Sequence, residues 1–187
     1  MEKYISNQSG RSMIEMLGVL AIVGVLSVAG IAGYSKAMVK YKTNKVVDQV
    51  TTISANIRTT FAGQGDYTGL TTKVAHNLGV FPEEMDKDCT SSACTATNAL
   101  GGNVNVGIGG VKYAFDVRFT KLSKDACSTL VTADWGSSSV FLGFARDIKG
   151  VLIASSADLT DGIAGAISSL CTCSSAENSC VLVWRFK

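Results

Sequence analysis

Six cysteines and a single histidine, His76, are the side chains of this 187-residue chain best suited to redox or metal chemistry. The cysteines are Cys89, Cys94, Cys127, Cys171, Cys173 and Cys180. Structural zinc sites usually contain paired C-x2-C motifs, whereas this chain has one C-x4-C, one C-x-C and two isolated cysteines. His76 stands apart from them in sequence and is interpreted as an ordinary helix residue. The cysteine spacing therefore predicts disulfides and no metal site.

Other catalytic or ligand-binding chemistry has little support in the composition. One histidine among dispersed carboxylates offers little material for general acid–base catalysis, and no local signature marks a Cys–His nucleophile pair. A net charge of +2 is too small to indicate a nucleic-acid partner. Apolar residues make up 47% of the chain, which excludes intrinsic disorder. We predict a folded protein that is not an enzyme and holds no cofactor.

An uncharged apolar run near the amino terminus is the first element that organises the chain. Residues 1–10 are polar, and residues 16–35 carry no charge. As a helix these 20 residues would span about 30 Å, the thickness of the hydrocarbon core of a bilayer. A secretory signal has a shorter apolar stretch, of about 7–15 residues. The run therefore predicts a transmembrane helix.

Beyond the apolar run, apolar and β-branched residues recur at alternating steps of four and three. They are Val39, Thr43, Val46, Val50, Ile53, Ile57 and the pair Thr60–Phe61. This spacing places them on one face of a helix, and Gly63 and Gly65 mark its end. Residues 12–62 are thus predicted to form one helix of about 75 Å, apolar all round in its first half and amphipathic in its second.

Glu15 lies at the edge of the apolar run, where a carboxylate costs about 2.5 kcal/mol or more and so usually has a partner. Its surroundings, GRSMIEMLGVLAIVGVL from Gly10 onwards, resemble the class III signal of type IV pilins and pseudopilins. The resemblance implies that a prepilin peptidase cleaves after Gly10 and N-methylates Arg11. It also implies that Glu15 acts in filament assembly, whereas the alternative is that Glu15 snorkels to the headgroups or caps the first helical turn.

Two features depart from the usual pilin pattern. Arg11 stands where the family usually has Phe or another apolar residue, and we expect this change to affect methylation more than cleavage. The family often has a proline about 22 residues into the mature chain, which this helix lacks. Gly24, Gly30 and Gly33 are predicted to supply helix flexibility instead, or to allow close packing of neighbouring helices in lipid.

Two sequence features disagree about membrane topology. The positive-inside rule favours a cytoplasmic location for the lysines after the run, against only Lys3 and Arg11 before it. These lysines are Lys36, Lys40, Lys42 and Lys45. Six cysteines instead favour an oxidising compartment for the carboxyl-terminal part, and the pilin resemblance implies the same. We expect a single-pass precursor in the inner membrane with its head in the periplasm, and an extracellular pilus after assembly.

The remaining sequence predicts an α+β head. The domains are then a cleaved leader (1–10), the long helix (11–62) and a globular head (63–187). Within the head we predict short helices at 70–78, 123–131 and 158–170, with Ser123 as a candidate N-cap of the second. We also predict strands at 104–108, 113–119, 140–144, 151–154 and 181–186, with a hairpin around residues 149–150. The resemblance implies the type IV pilin fold, a long helix on a small antiparallel sheet, in the type IVb branch that includes conjugative-plasmid pilins.

The disulfide pairing is implied only by the pilin resemblance. It pairs Cys127 with Cys171 or Cys173, and the remaining member of that C-x-C with Cys180. It also pairs Cys89 with Cys94.

The resemblance implies a structural subunit of a type IV pilus that acts in adhesion, motility or mating contact. Its partners would be identical or related pilin subunits, the prepilin peptidase, an inner-membrane assembly platform and, before assembly, the lipid bilayer. One alternative within the family is a pseudopilin of a type II secretion-like system or a minor tip pilin. An alternative from another class is a membrane-anchored binding protein that never polymerises.

Overall fold

The computed structural model describes residues 11–85, 87–90, 94–135, 139–144, 171, 173 and 180–187. Its first element, α1, is a 51-residue helix, Arg11–Phe61, one residue shorter at its end than the periodicity predicts. The chain divides into two compact units, residues 1–40 and residues 41–187. Helix α1 contributes residues to both units.

In the second unit, α1 buries the face that the sequence pattern predicts. The buried positions are Thr43, Val46, Val50, Ile53, Ile57 and Phe61. All of them except Thr43 contribute to the hydrophobic core of the head, together with Phe115, Phe119 and Trp184. Val39, which lies in the first unit, is 38% exposed. Burial of each large apolar side chain in this face contributes about 1.5–3 kcal/mol.

The head contains an antiparallel sheet whose six described strands are ordered β1-β2-β3-β4-β6-β5. The strands are β1 (Lys87–Cys89), β2 (Cys94–Thr97), β3 (Asn103–Ile108), β4 (Phe115–Leu122), β5 (Ser139–Phe144) and β6 (Cys180–Phe186). Strand β6, near the end of the chain, lies between β4 and β5 and pairs with both. Among the six described strands, β6 is therefore an interior strand, next to the edge strand β5.

In the described part of the head, two short helices flank the sheet, α2 (Thr72–Asn77) and α3 (Lys124–Thr132). The hydroxyl of Thr71 accepts a hydrogen bond from the Val74 amide, and Ser123 accepts one from Ala126, each at 3.2 Å. Both contacts satisfy a first-turn N–H group that has no partner within its helix. Ser123 is the N-cap that the sequence indicates.

The structure corrects several strand predictions. Strand β4 begins at Phe115 instead of residue 113 and continues to Leu122, because a turn in which the Ala114 amide donates to the Val111 carbonyl precedes it. Four of the five predicted strands lie in the described residues, and β1 and β2, which were not predicted, bring the described strands to six. The predicted strand 151–154, its hairpin turn and the predicted helix 158–170 lie outside the described residues.

Candidate functional site

The first feature with functional meaning is an exposed apolar segment of α1, residues 13–34. Thirteen of its large apolar residues are between 51% and 78% exposed. They are Met13, Ile14, Met16, Leu17, Val19, Leu20, Ile22, Val23, Val25, Leu26, Val28, Ile31 and Tyr34. This helix is long and apolar enough to cross a membrane, and none of its most apolar stretch is buried by the rest of the chain. Soluble monomers rarely leave so large an apolar surface in water, so a bilayer or other protein chains must cover it.

Glu15 is an exposed carboxylate inside this apolar segment, between Ile14 and Met16. It is the only charged residue from 13 to 35. Arg11 lies four residues earlier, at the beginning of α1, about one helical turn before Glu15. Gly10 lies outside the described residues. The structure thus places Arg11 and Glu15 on one helical turn at the end of the apolar segment.

The three glycines predicted to confer flexibility lie within α1, which continues through all of them. A Cβ added at Gly24, Gly30 or Gly33 would meet no atom of the chain within 4 Å. Their small surfaces therefore face outwards, available to a neighbouring helix or to lipid.

The hydroxyl groups in the same region bond back to their own helix. Ser27 Oγ donates to the Val23 carbonyl at 2.7 Å and Ser35 Oγ donates to the Ile31 carbonyl at 3.0 Å. Because these polar groups have partners within the helix, they lower the cost of apolar surroundings.

In the head, side-chain hydrogen bonds anchor the second half of α1 to three separate segments. Asn56 Nδ2 donates to the Val80 carbonyl at 2.8 Å, and Arg58 Nε donates to the Lys187 carbonyl at 2.9 Å. Gln49, which is only 2% exposed, accepts a hydrogen bond from the Ala99 amide at 3.1 Å. These contacts satisfy polar groups of the helix while its apolar face packs on the sheet.

The six cysteines form three disulfides. They are Cys89–Cys94, Cys127–Cys171 and Cys173–Cys180. The pilin resemblance allows either Cys171 or Cys173 as the partner of Cys127, and in the structure the partner is Cys171. Cys127 and Cys171 are both buried, and their bond links α3 to a residue shortly before β6. The disulfide therefore ties the chain that leads into β6 to α3.

His76 lies in α2, as expected for a helix residue, and it is close to one disulfide. One of its imidazole nitrogens and the sulfurs of Cys89 and Cys94 lie within 4.8 Å of one another. Three such atoms resemble a Cys2His metal site in composition. However, both sulfurs are bonded to each other, and metal ions bind the thiolate form of cysteine. The oxidised structure therefore does not support a metal at this position.

An ion pair between Asp116 on β4 and Arg185 on β6 was not predicted from the sequence. The two residues are direct cross-strand partners, and Nε and Nη2 of Arg185 lie 2.7 and 2.8 Å from the two carboxylate oxygens. The hydrogen bond to Asp116 raises the pKa of Arg185 above its usual value. A Cβ at Gly109 would lie 2.8 Å from Asp116 Oδ1, so the adjoining loop needs glycine there.

Removing this carboxylate should destabilise the sheet. Asp116→Ala is expected to lower the free energy of unfolding by about 2 kcal/mol, because a partly buried guanidinium loses two charge-assisted hydrogen bonds. Chemical denaturation of the full chain in detergent measures the change. Asp48→Ala is the control, since Asp48 is exposed and makes no ion pair within the described residues. Equal losses in the two variants would contradict a specific role for the pair.

Comparison with known proteins identifies the family. The family model described as PilS N terminal matches residues 40–183. The major structural subunit of the bundle-forming pilus of Escherichia coli O127:H6 is 30% identical over 145 residues, which cover 76% of this chain and 72% of that protein. The corresponding subunit of Escherichia coli O111:H- is 30% identical over 134 residues, covering 71% and 68%.

Two solved structures share the fold. The type IVb pilin of Salmonella typhi superposes with a TM-score of 0.55 at 16% identity, over 75% of this chain and 97% of that one. TcpA, a type IV pilin of Vibrio cholerae El Tor, superposes with a TM-score of 0.51 at 16% identity, over 79% of this chain and 99% of that one. The long helix and small antiparallel sheet are therefore the pilin fold. From the family match, the identity to pilus subunits and this fold, we conclude that the chain belongs to the type IV pilins, in their type IVb-like branch.

Proposed function

We propose that the protein is a structural subunit that polymerises into a type IV pilus. The observation that carries this proposal is the exposed apolar segment of α1, residues 13–34, which nothing else in the described chain covers. Before assembly the hydrocarbon core of the inner membrane would cover this segment, with the disulfide-bonded head in the periplasm. In the extracellular filament the same surface would be covered by the helices of neighbouring subunits.

Processing at the amino terminus would precede assembly. A prepilin peptidase would cleave after Gly10 and methylate the new terminal amine on Arg11, and an inner-membrane platform would then extract the subunit. The support is the position of Gly10 and Arg11 just before the apolar segment and of Glu15 near its beginning, together with membership of the family. Flexibility at Gly24, Gly30 and Gly33 would let the helix adjust as it leaves the bilayer.

Glu15 would set the register between subunits. In a membrane-inserted subunit its carboxylate lies at the edge of hydrocarbon, where an unpaired charge is costly. The positive terminal amine of Arg11 in a neighbour already in the filament would offer a partner. Because a wrong register leaves both charges unpaired, this contact would act on register more than on net stability.

A structural role is favoured over the alternatives. The curated relatives are major structural subunits, which favours a filament-forming pilin over a pseudopilin, a minor tip pilin or an anchored protein that never polymerises. We propose that the role in the pilus involves neither enzymatic activity nor a nucleic-acid partner. Adhesion, motility or mating contact would then depend on the outer surface of the head.

Blocking cleavage tests this function. We expect Gly10→Val to remain full length and to be absent from filaments sheared from the cell surface, whereas the wild-type chain loses residues 1–10. Gly18→Ala is the control, because Gly18 lies in α1 beyond the cleavage motif and a Cβ there meets nothing within 4 Å. Intact-mass measurement of membrane and sheared fractions reports both results. Wild-type amounts of uncleaved Gly10→Val in sheared filaments would contradict processing, and absence of the wild-type chain from them would contradict polymerisation.

A further inference from the structure

The Cys89–Cys94 disulfide differs from the other two in its exposure. Cys89 is exposed, whereas Cys94 is 6% exposed. The two cysteines are paired residues at the end of the β1–β2 ladder. A nucleophile arriving from solvent would therefore attack Cys89, and the buried Cys94 sulfur would be the leaving group.

The second observation is the unused imidazole beside these sulfurs. His76 has a nitrogen within 4.8 Å of both of them, and its Nδ1 is buried without a hydrogen-bond partner among the described residues. Most buried polar atoms have a partner, so an exception needs an explanation, and a redox or catalytic role is one of them. Imidazole is also the side chain best suited to proton transfer near neutral pH.

We propose that Cys89–Cys94 is a thiol–disulfide exchange site for thiolates, with His76 as the acid that protonates Cys94 as it leaves. The incoming thiolate sulfur bonds to Cys89 Sγ, and the Cys89–Cys94 bond breaks with its electron pair moving to Cys94 Sγ. The imidazolium of His76 transfers its proton to that sulfur and is reprotonated by water. The products are a mixed disulfide at Cys89 and a thiol at Cys94, so the incoming sulfur is oxidised and Cys94 is reduced.

The other two disulfides lack this combination of features. Cys127 and Cys171 are 0% and 1% exposed, and Cys180 is 4% exposed with Cys173 partly buried. Among the described residues, His76 forms a close cluster of potential ligand atoms only with the sulfurs of Cys89 and Cys94. Exchange is therefore directed to the β1–β2 hairpin, where a mixed disulfide would attach a thiol compound or protein to the pilin head. This inference is independent of polymerisation.

Selective reduction tests the site. The full chain in detergent is treated with reduced glutathione or with reduced thioredoxin, free thiols are alkylated over time, and peptides are mapped by mass spectrometry. Cys89–Cys94 should open at least about tenfold faster than the other disulfides. This factor is smaller than the roughly 10²–10⁴-fold acceleration that a well-positioned acid typically supplies. Reaction with glutathione indicates small thiols as reactants, and reaction only with thioredoxin indicates protein dithiols. Reaction with neither overturns the proposal.

His76→Gln separates acid catalysis from a structural role. Loss of the acid should slow opening of Cys89–Cys94 by about tenfold, whereas a variant that merely loosened the hairpin would open faster. Asn77→Ala is the matched control, because Asn77 is the exposed neighbour of His76 in α2, and its rate should equal that of the wild type. An unchanged or faster rate in His76→Gln overturns the role of His76.

Discussion

Glu15→Ala is expected to be cleaved and inserted normally, yet to yield at least about tenfold fewer sheared filaments when it is the only subunit present. Under the proposed function, the variant would lose the pairing of the Glu15 carboxylate with the terminal amine of a neighbouring Arg11, and each factor of ten corresponds to about 1.4 kcal/mol. Without that pairing, subunits can enter the filament in the wrong register. Immunoblots of the membrane and sheared fractions, normalised to cleaved subunit, measure the change.

Two comparisons make this result specific. Glu15→Gln keeps the size of the side chain but removes its charge, so it should fail in the same way if the ion pair matters. Lys36→Ala removes a charge beyond the apolar segment and should assemble normally. Assembly of Glu15→Ala at wild-type yield would falsify the pairing role and leave only capping or snorkelling.

The double variant Cys127→Ala/Cys171→Ala should lose more free energy of unfolding than the double variant Cys89→Ala/Cys94→Ala. These cysteines are 44 residues apart, and closing such a loop stabilises by about 4 kcal/mol in the chain-entropy model. Cys89→Ala/Cys94→Ala opens a loop with a separation of 5 residues, for which the same model gives about 2 kcal/mol. Denaturant unfolding of the full chain in detergent, with each variant beside the wild type, tests this order. Equal losses would contradict the loop-length explanation.

Local features of the sequence were sufficient to predict the helical part of the fold. The uncharged run, the steps of three and four from Thr43 to Phe61, and Ser123 as a helix cap all act within a few residues of one another. Helical hydrogen bonds join residues four apart, so their determinants are visible in a short window. The motif at Gly10, Arg11 and Glu15 is equally local, which is why it indicated the family before any tertiary information.

The sheet was less predictable because its partners are distant in sequence. Strands β1 and β2 have three and four residues, too short to show a period of two, and they become strands through pairing with their neighbours. Strand β4 alternates clearly, but the turn before Phe115 sets where it begins. Asp116 and Arg185 are 69 residues apart, and no local pattern pairs them.

The sequence by itself determined that there is a membrane-length helix, that Glu15 is a carboxylate in apolar surroundings, and that the cysteines favour disulfides. Tertiary structure alone decided that Cys127 bonds to Cys171 instead of Cys173, and that His76 lies beside Cys89 and Cys94. Residues 171 and 173 are almost equally distant from Cys127 along the chain, so loop entropy cannot distinguish them. The choice depends on which of the two sulfurs lies within bonding distance of the Cys127 sulfur on α3. Only the packing of the head determines that distance.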